Sequence, residues 1–328
     1  MTAKPLKNRK DSPKVSYHRI SEEEAGQRLD NFLLRVLKGV PKTRIYRAIR
    51  RGEVRVDGGR AAASRKLNAG ESVRLPPLRR AGGEAPRSPD AATKAILGQI
   101  IFEDERLLAI NKPAGMAAHG GSGVSFGAIE LMRQARPDLA YLELVHRLDR
   151  DTSGCLLFAK RRSALRAMHE RLRENSVDKR YLALLAGRLR PGSSRVDAAL
   201  VTNLRRGGER MVMVEPESGK RSVSTFKSVQ TFSQATLVEV RIETGRTHQI
   251  RVHAAHLGHP VVGDEKYGDR EVNRAFRKLG LKRMFLHAQS LSFEQPGGNE
   301  LVCIAAPLQA GLRELLDRLE AGGSGHSR

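Results

Sequence analysis

The chain has 328 residues, long enough for two domains, and at 39% hydrophobic it can bury a sizeable core. Lys and Arg number 59 against 36 Asp and Glu, a formal charge of +23 that points to a polyanion as partner, whether RNA, DNA or an anionic membrane. No window approaches the roughly 18 consecutive apolar residues of a membrane span and the N-terminus lacks a signal-peptide core, so a cytoplasmic protein is expected. Cys155 and Cys303 are too few for a disulfide framework and lack the C-x-x-C spacing of a zinc site, and both read as buried packing residues.

Residues 1–24 open the chain as a basic arm expected to be disordered. Its first 15 carry Lys4, Lys7, Arg9, Lys10 and Lys14 with almost nothing apolar, so it either adds affinity for RNA or is merely solvated. From Ala25 the pattern changes: Leu29, Phe32, Leu33, Val36 and Leu37 recur at helical spacing, and a second helix follows Pro41 with Ile45, Ala48 and Ile49 inward. Its other face carries Lys42, Arg44, Arg47, Arg50 and Arg51, a candidate phosphate-binding surface. Gly52 ends the helix, a strand follows at Glu53–Val56, Asp57-Gly58 makes a hairpin turn, and Glu71–Leu75 closes a small sheet. This small α/β module, residues 25–76, resembles the RNA-binding domain first seen in ribosomal protein S-four and also found in tyrosyl-tRNA synthetases.

Residues 77–95, rich in Pro, Gly and Arg, read as a linker, residues 96–320 as a second domain, and 321–328 as a frayed tail. Strands are expected at Ile100–Phe102 and Leu107–Ile110, followed by Asn111-Lys112-Pro113-Ala114-Gly115, where spacing makes Lys112 a turn residue. His119-Gly120-Gly121-Ser122-Gly123 lacks the order of a phosphate loop and reads as a loop bordering a cleft. Leu144–Lys160 then packs His146, Arg147, Asp149, Arg150, Thr152 and Ser153 between two apolar runs expected to be buried strands. On its own, Asp149 there reads as a turn cap paired with a neighbouring arginine. A helix is expected over Ser163–Glu174. Strands follow at Lys179–Leu185, holding Tyr181, and at Arg205–Val214, Lys220–Val229 and Ala235–Ile242. Gly245–His253 opens a helix after a glycine turn. Its His248 and His253 lie five apart, which keeps them off one helical face, so no metal site is expected. Arg283–Leu291 and Leu301–Ala305 are the last strands, and Leu308–Leu319 is a closing amphipathic helix.

His146-Arg147-Leu148-Asp149 followed by Thr152-Ser153-Gly154, the N-K-P-x-G segment, the K-x-Y-x-A run around Tyr181, and Gly245-Arg246-Thr247-His248-Gln249-Ile250-Arg251-Val252-His253 resemble the motifs of the RluA family of pseudouridine synthases. That family isomerises uridine in RNA. The resemblance spans about residues 100–307 and, with the small domain, nearly the whole chain. It implies an α+β fold, with a mixed, largely antiparallel sheet, flanking helices and a central cleft.

It also implies an isomerase that detaches uracil at N1, rotates it and rejoins it through C5. Asp149 would be its nucleophile, Arg251 the ion-pair partner forking onto that carboxylate, Tyr181 the ring at the target base, and Arg147 the side chain filling the place of the flipped nucleotide. Such a reaction needs no cofactor and no metal. The implied partner is 23S ribosomal RNA during large-subunit assembly, with a monomer as the default state. A non-catalytic ribosome-assembly factor would use the same basic surfaces, but has no need of the Asp149, Tyr181 and Arg251 set. A nuclease or RNA ligase would call for paired histidines, clustered carboxylates or a lysine-centred nucleotide site.

Overall fold

The computed structural model describes residues 15–37, 39–78, 90–120, 126–204, 210–296, 298 and 300–323. Two compact units divide the chain, Met1–Arg87 and Ser88–Arg328. In the first, the apolar spacing begun at Leu29 forms α1 (Leu29–Val36), and Pro41 opens α2 (Lys42–Arg50). Three short strands, β1 (Ser16–Arg19), β2 (Arg55–Val56) and β3 (Ser72–Leu75), make an antiparallel sheet in the order β1-β3-β2. Leu29, Phe32, Leu33, Ile45, Leu67 and Val73 are fully buried between helices and sheet, each contributing roughly 1.5–3 kcal/mol. The Asp57-Gly58 turn has both residues at positive φ, and Asp57 Oδ1 accepts from Ser72 N–H at 2.8 Å, which pins the hairpin.

The second unit is built on a 10-stranded sheet. It opens with α3 (Asp90–Leu97), β4 (Ile100–Glu103), β5 (Leu107–Lys112), α4 (Ala128–Ala135), β6 (Glu143–Leu144), β7 (Ser153–Ala159) and α5 (Arg162–Arg173). There follow β8 (Asp178–Ala186), β9 (Ser193–Asp197), the hairpin β10 (Leu200–Leu204) and β11 (Arg210–Val214), β12 (Val223–Thr231) and β13 (Ala235–Ile242). The chain continues through α6 (Gln249–His256), α7 (Arg270–Lys278), β14 (Leu286–Glu294), β15 (Leu301–Ala305) and α8 (Ala310–Gly323). The main path runs β4-β5-β7-β14-β8-β13-β12-β9, antiparallel except where β14 lies parallel to β7. Side-chain alternation buries both faces. Leu108, Ile110, Leu156, Phe158, Tyr181, Ala183 and Val240 share a cluster with α3, α4 and α6, while Leu107, Ala109, Cys155, Leu157 and Phe293 pack with α5. Gly154 makes the parallel crossing possible. Its φ is +109°, and a Cβ there would lie 2.2 Å from Ala288 O.

Several expectations change. Ser16–Arg19, placed in the basic arm, is a strand, because pairing with β3 satisfies its backbone; the arm before residue 15 and the tail from 324 lie outside the described residues. Residues 90–95 of the expected linker belong to a helix, Asp90–Leu97, whose fully buried Ile96 joins the core, while residues 79–89 of that linker lie outside the described residues. α8 runs on to Gly323. Cys155 is buried as expected, but Cys303 is exposed, since β15, which among the described strands pairs with β14 alone, turns that position outward. Among the described residues no helix is long and apolar enough to cross a membrane.

Candidate active site

The H-R-L-D segment is the loop between β6 and β7, and each of its side chains takes a different direction. Val145 N–H donates to Leu157 O at 2.9 Å and Leu157 N–H donates to His146 Nε2 at 3.2 Å, so the histidine fastens the loop to β7. Burial pushes the His146 pKa down to about 4, which keeps that nitrogen an acceptor. Leu148 enters the core. Arg147 projects into solvent, and Asp149, with 27% of its side chain exposed, faces a cleft of about 810 Å³.

From the other side the N-K-P-x-G turn clamps the loop. Gly115 N–H donates to Arg150 O at 2.9 Å, and the fully buried Lys112 donates from Nζ to Pro113 O, Met116 O and Arg150 O at 2.8–3.1 Å. Burial lowers the Lys112 pKa to about 7, but three carbonyl acceptors match the three N–H bonds of an ammonium and favour the charged form. Lys112 is thus part of the turn, as its spacing suggested. His119 borders the cleft, whereas residues 121–125 of the glycine-rich loop lie outside the described residues.

Arg251 comes from the first turn of α6 and is 8% exposed. Its fork is not on Asp149. Nε and Nη2 donate to Asp264 at 2.6 and 2.8 Å, and only Nη1 reaches Asp149 Oδ2, at 3.4 Å. Asp264 lies in the turn after α6 and is 1% exposed, and its Oδ1 also accepts from Lys266 and Tyr267 N–H. Burial works to raise the Asp264 carboxyl, but the Arg251 fork and those two N–H groups hold it below the ordinary carboxylate range. The expected bidentate pair with Asp149 is therefore corrected to a bridge: one guanidinium, firmly held by a buried carboxylate, presents its remaining edge to the exposed one. The sequence alone assigned Asp264 no role, its partner Arg251 lying 13 residues away. His248 Nε2 stands 3.9 Å from the same Asp149 oxygen.

Tyr181, at mid-β8 between Val240 of β13 and Ala288 of β14, is 8% exposed and shares a cavity of about 80 Å³ with Asp149, Thr152, His248 and Arg251. Burial, and then the Asp149 charge, push its phenol well above the usual value, so it is a neutral ring and hydrogen-bond donor at physiological pH. Arg147, Arg150, Arg246, Lys266, Arg277 and Lys282 line the wider cleft with positive charge. His253, by contrast, is committed to structure through Ser224 Oγ and Ala198 O.

In the first unit, Lys42, Arg47, Arg50 and Arg51 are exposed along and just after α2. Arg44 differs from them. It is half-buried, and its Nη2 donates to Glu53 Oε2 at 2.8 Å, so it ties helix to hairpin rather than standing free.

Two families match the chain: RNA pseudouridylate synthase over residues 106–256 and the S4 domain over 27–73. The chain is 51% identical over 308 residues to the ribosomal large subunit pseudouridine synthase C of Yersinia pestis, covering 93% of this chain and 96% of that one. It is 50% identical over 313 residues to the protein of the same name from Escherichia coli (strain K12), covering 94% and 98%. Among solved structures, human RNA pseudouridylate synthase domain containing 4 superposes with a TM-score of 0.59 at 25% identity, over 70% of this chain and 96% of that one. Motifs, fold and relatives agree: the chain belongs to the RluA-type RNA pseudouridylate synthases, isomerases that here carry an S4 domain ahead of the synthase domain.

Proposed function

We propose that this enzyme converts specific uridines of 23S ribosomal RNA to pseudouridine during large-subunit assembly, acting in the cytoplasm as a monomer. The observation that carries the catalytic reading is the placing of Asp149 and the Tyr181 ring around one small cavity at the floor of a basic cleft. The ribosomal substrate is supported by the names of relatives that share half the sequence across nearly the full length.

In this reading the small domain, extended back to β1, grips RNA phosphates through Lys42, Arg47, Arg50 and Arg51, and the domain that begins at α3 does the chemistry. Unstacking the target nucleotide costs a few kcal/mol. Arg147, exposed at the cleft edge, fills the vacated space, and the basic lining offsets part of the cost. The uracil lies against Tyr181, which offers a donor to the base but, with its raised pKa, is no base itself at pH 7. Asp149 acts at the nucleoside through Oδ1, while Oδ2 faces Arg251. No atom leaves the nucleotide except the C5 proton, exchanged with solvent.

Tritium release from C5-labelled 23S, 16S and transfer RNA transcripts tests the substrate. Release from 23S RNA alone is expected. Release from another transcript but not from 23S overturns the substrate, and tight binding to 23S RNA with no release from any transcript replaces the enzyme reading with that of an assembly factor.

A further inference from the structure

The geometry points to a positioning role for His248: we propose that its Nε2–H, aimed by Tyr267, is the second donor on Oδ2 of Asp149, so that Oδ1 is left to face the nucleoside. The proposal rests on Asp149 being the nucleophile.

The backbone gives the first indication. His248 has φ +54° and ψ +17°, a left-handed conformation costly for a side chain with a Cβ, and it does not use that side chain to cap α6. Instead the imidazole lines both the wide cleft and the small cavity that holds Asp149 and Tyr181.

Tyr267 fixes the tautomer. Its hydroxyl accepts from Val212 N–H at 3.0 Å and lies 2.8 Å from His248 Nδ1. With one acceptor site of the phenol oxygen used by the backbone, we assign its proton to Nδ1, which leaves the imidazole hydrogen on Nε2. Nε2 stands 3.9 Å from Asp149 Oδ2, and the donor role requires that gap to close when RNA is bound. Burial lowers the His248 pKa, in keeping with a neutral donor.

One network aims both donors. The Tyr267 ring packs edge-on against His248, with centroids 5.5 Å apart, and beneath the Arg251 guanidinium at 5.0 Å. Asp264 takes the Arg251 fork and also accepts from Tyr267 N–H at 3.1 Å. Arg251 and His248 converge on Oδ2, and among the described residues no hydrogen bond to Oδ1 is formed. Two donors on one oxygen fix the carboxylate's rotation; a single contact at 3.4 Å leaves it free to turn.

The test is the single-turnover rate of tritium release from C5-labelled 23S transcript at saturating enzyme, with RNA affinity measured alongside, for wild type, Asp149→Ala, Tyr267→Phe and three His248 variants. His248→Gln places an N–H at about the reach of Nε2. His248→Asn suits the left-handed backbone, but its amide falls short.

A rate loss of roughly 10-fold or more is expected for His248→Ala with affinity unchanged, a similar loss for Asn, partial recovery for Gln, and a smaller loss for Tyr267→Phe. Thermal melting checks that each variant is folded. A wild-type rate in the Ala variant, a loss confined to affinity, or recovery by Asn but not Gln would overturn the proposal, the last by assigning the role to the backbone. Release by Asp149→Ala would instead overturn the nucleophile reading, whatever the His248 variants do.

Discussion

The Asp149 cleft and the outer face of α2 are both rich in arginine, but they hold it in opposite ways. Arg251 is buried, with its fork on Asp264, an aromatic ring at 5.0 Å, and one nitrogen left to face Asp149. Lys42, Arg47, Arg50 and Arg51 stand in solvent on a helix and its first flanking residue. A guanidinium held in place this way supplies direction, and one misplaced atom spoils it. Cations in solvent supply charge, whose effect depends on their number and on salt. Arg44, bound to Glu53, shows that membership of the basic helix does not by itself decide to which kind a residue belongs.

Breaking the held side should cost most. Asp264→Asn leaves the Arg251 charge buried without its carboxylate and is expected to lower stability by about 3–5 kcal/mol in urea unfolding, with activity falling as well. Arg251→Lys keeps the charge but cannot both fork onto Asp264 and reach Asp149; roughly a 100-fold loss in single-turnover rate is expected, with RNA affinity nearly unchanged.

The loop that carries Asp149 should be acid-sensitive. His146 has its folded pKa depressed to about 4 from 6.5, so as pH falls the unfolded chain takes the proton first. The stability it contributes is complete above 6.5 and is lost as pH falls to 4, up to about 3 kcal/mol. His146→Gln, which keeps an acceptor for Leu157 N–H, should flatten that limb of the stability–pH curve.

On the free side the effects are smaller and of another kind. Each of Lys42→Ala, Arg47→Ala and Arg50→Ala should weaken RNA binding severalfold and reduce the slope of log affinity against log salt by about 1, leaving the saturated rate alone. Arg44→Ala should change that slope less and instead cost about 1 kcal/mol of stability, the Glu53 tie being lost. If all four behave alike, the distinction between held and free cations on α2 fails.

The same difference explains what could be read from the sequence. Features set by neighbours along the chain were legible: β13 and β15 run over the residues expected of them, and the Asp57-Gly58 turn is where the pair occurs. Asp149 and Tyr181 were named from motifs, and the fold brings them to one cavity.

Features set by distant partners were not legible. Arg251 meets Asp264 13 residues away and Asp149 102 away, and nothing local says which carboxylate takes the fork. Most of α3 looked like linker because Ile96 is its one buried residue, and α7 escaped notice because five of its nine residues are charged and its buried residues are Asn273 and Phe276 alone. β1 has a polar, largely exposed sequence, and it is a strand only because β3 pairs with it.

The most direct test of the central claim, that Asp149 is the group acting on the nucleoside, is tritium release from C5-labelled 23S RNA by wild type and Asp149→Ala, with binding of both measured on the same transcript. Release by the wild type and none by the variant, at comparable RNA affinity, is the expected result. Release by Asp149→Ala at more than a trace of the wild-type rate would contradict it and move the nucleophile elsewhere in the cleft.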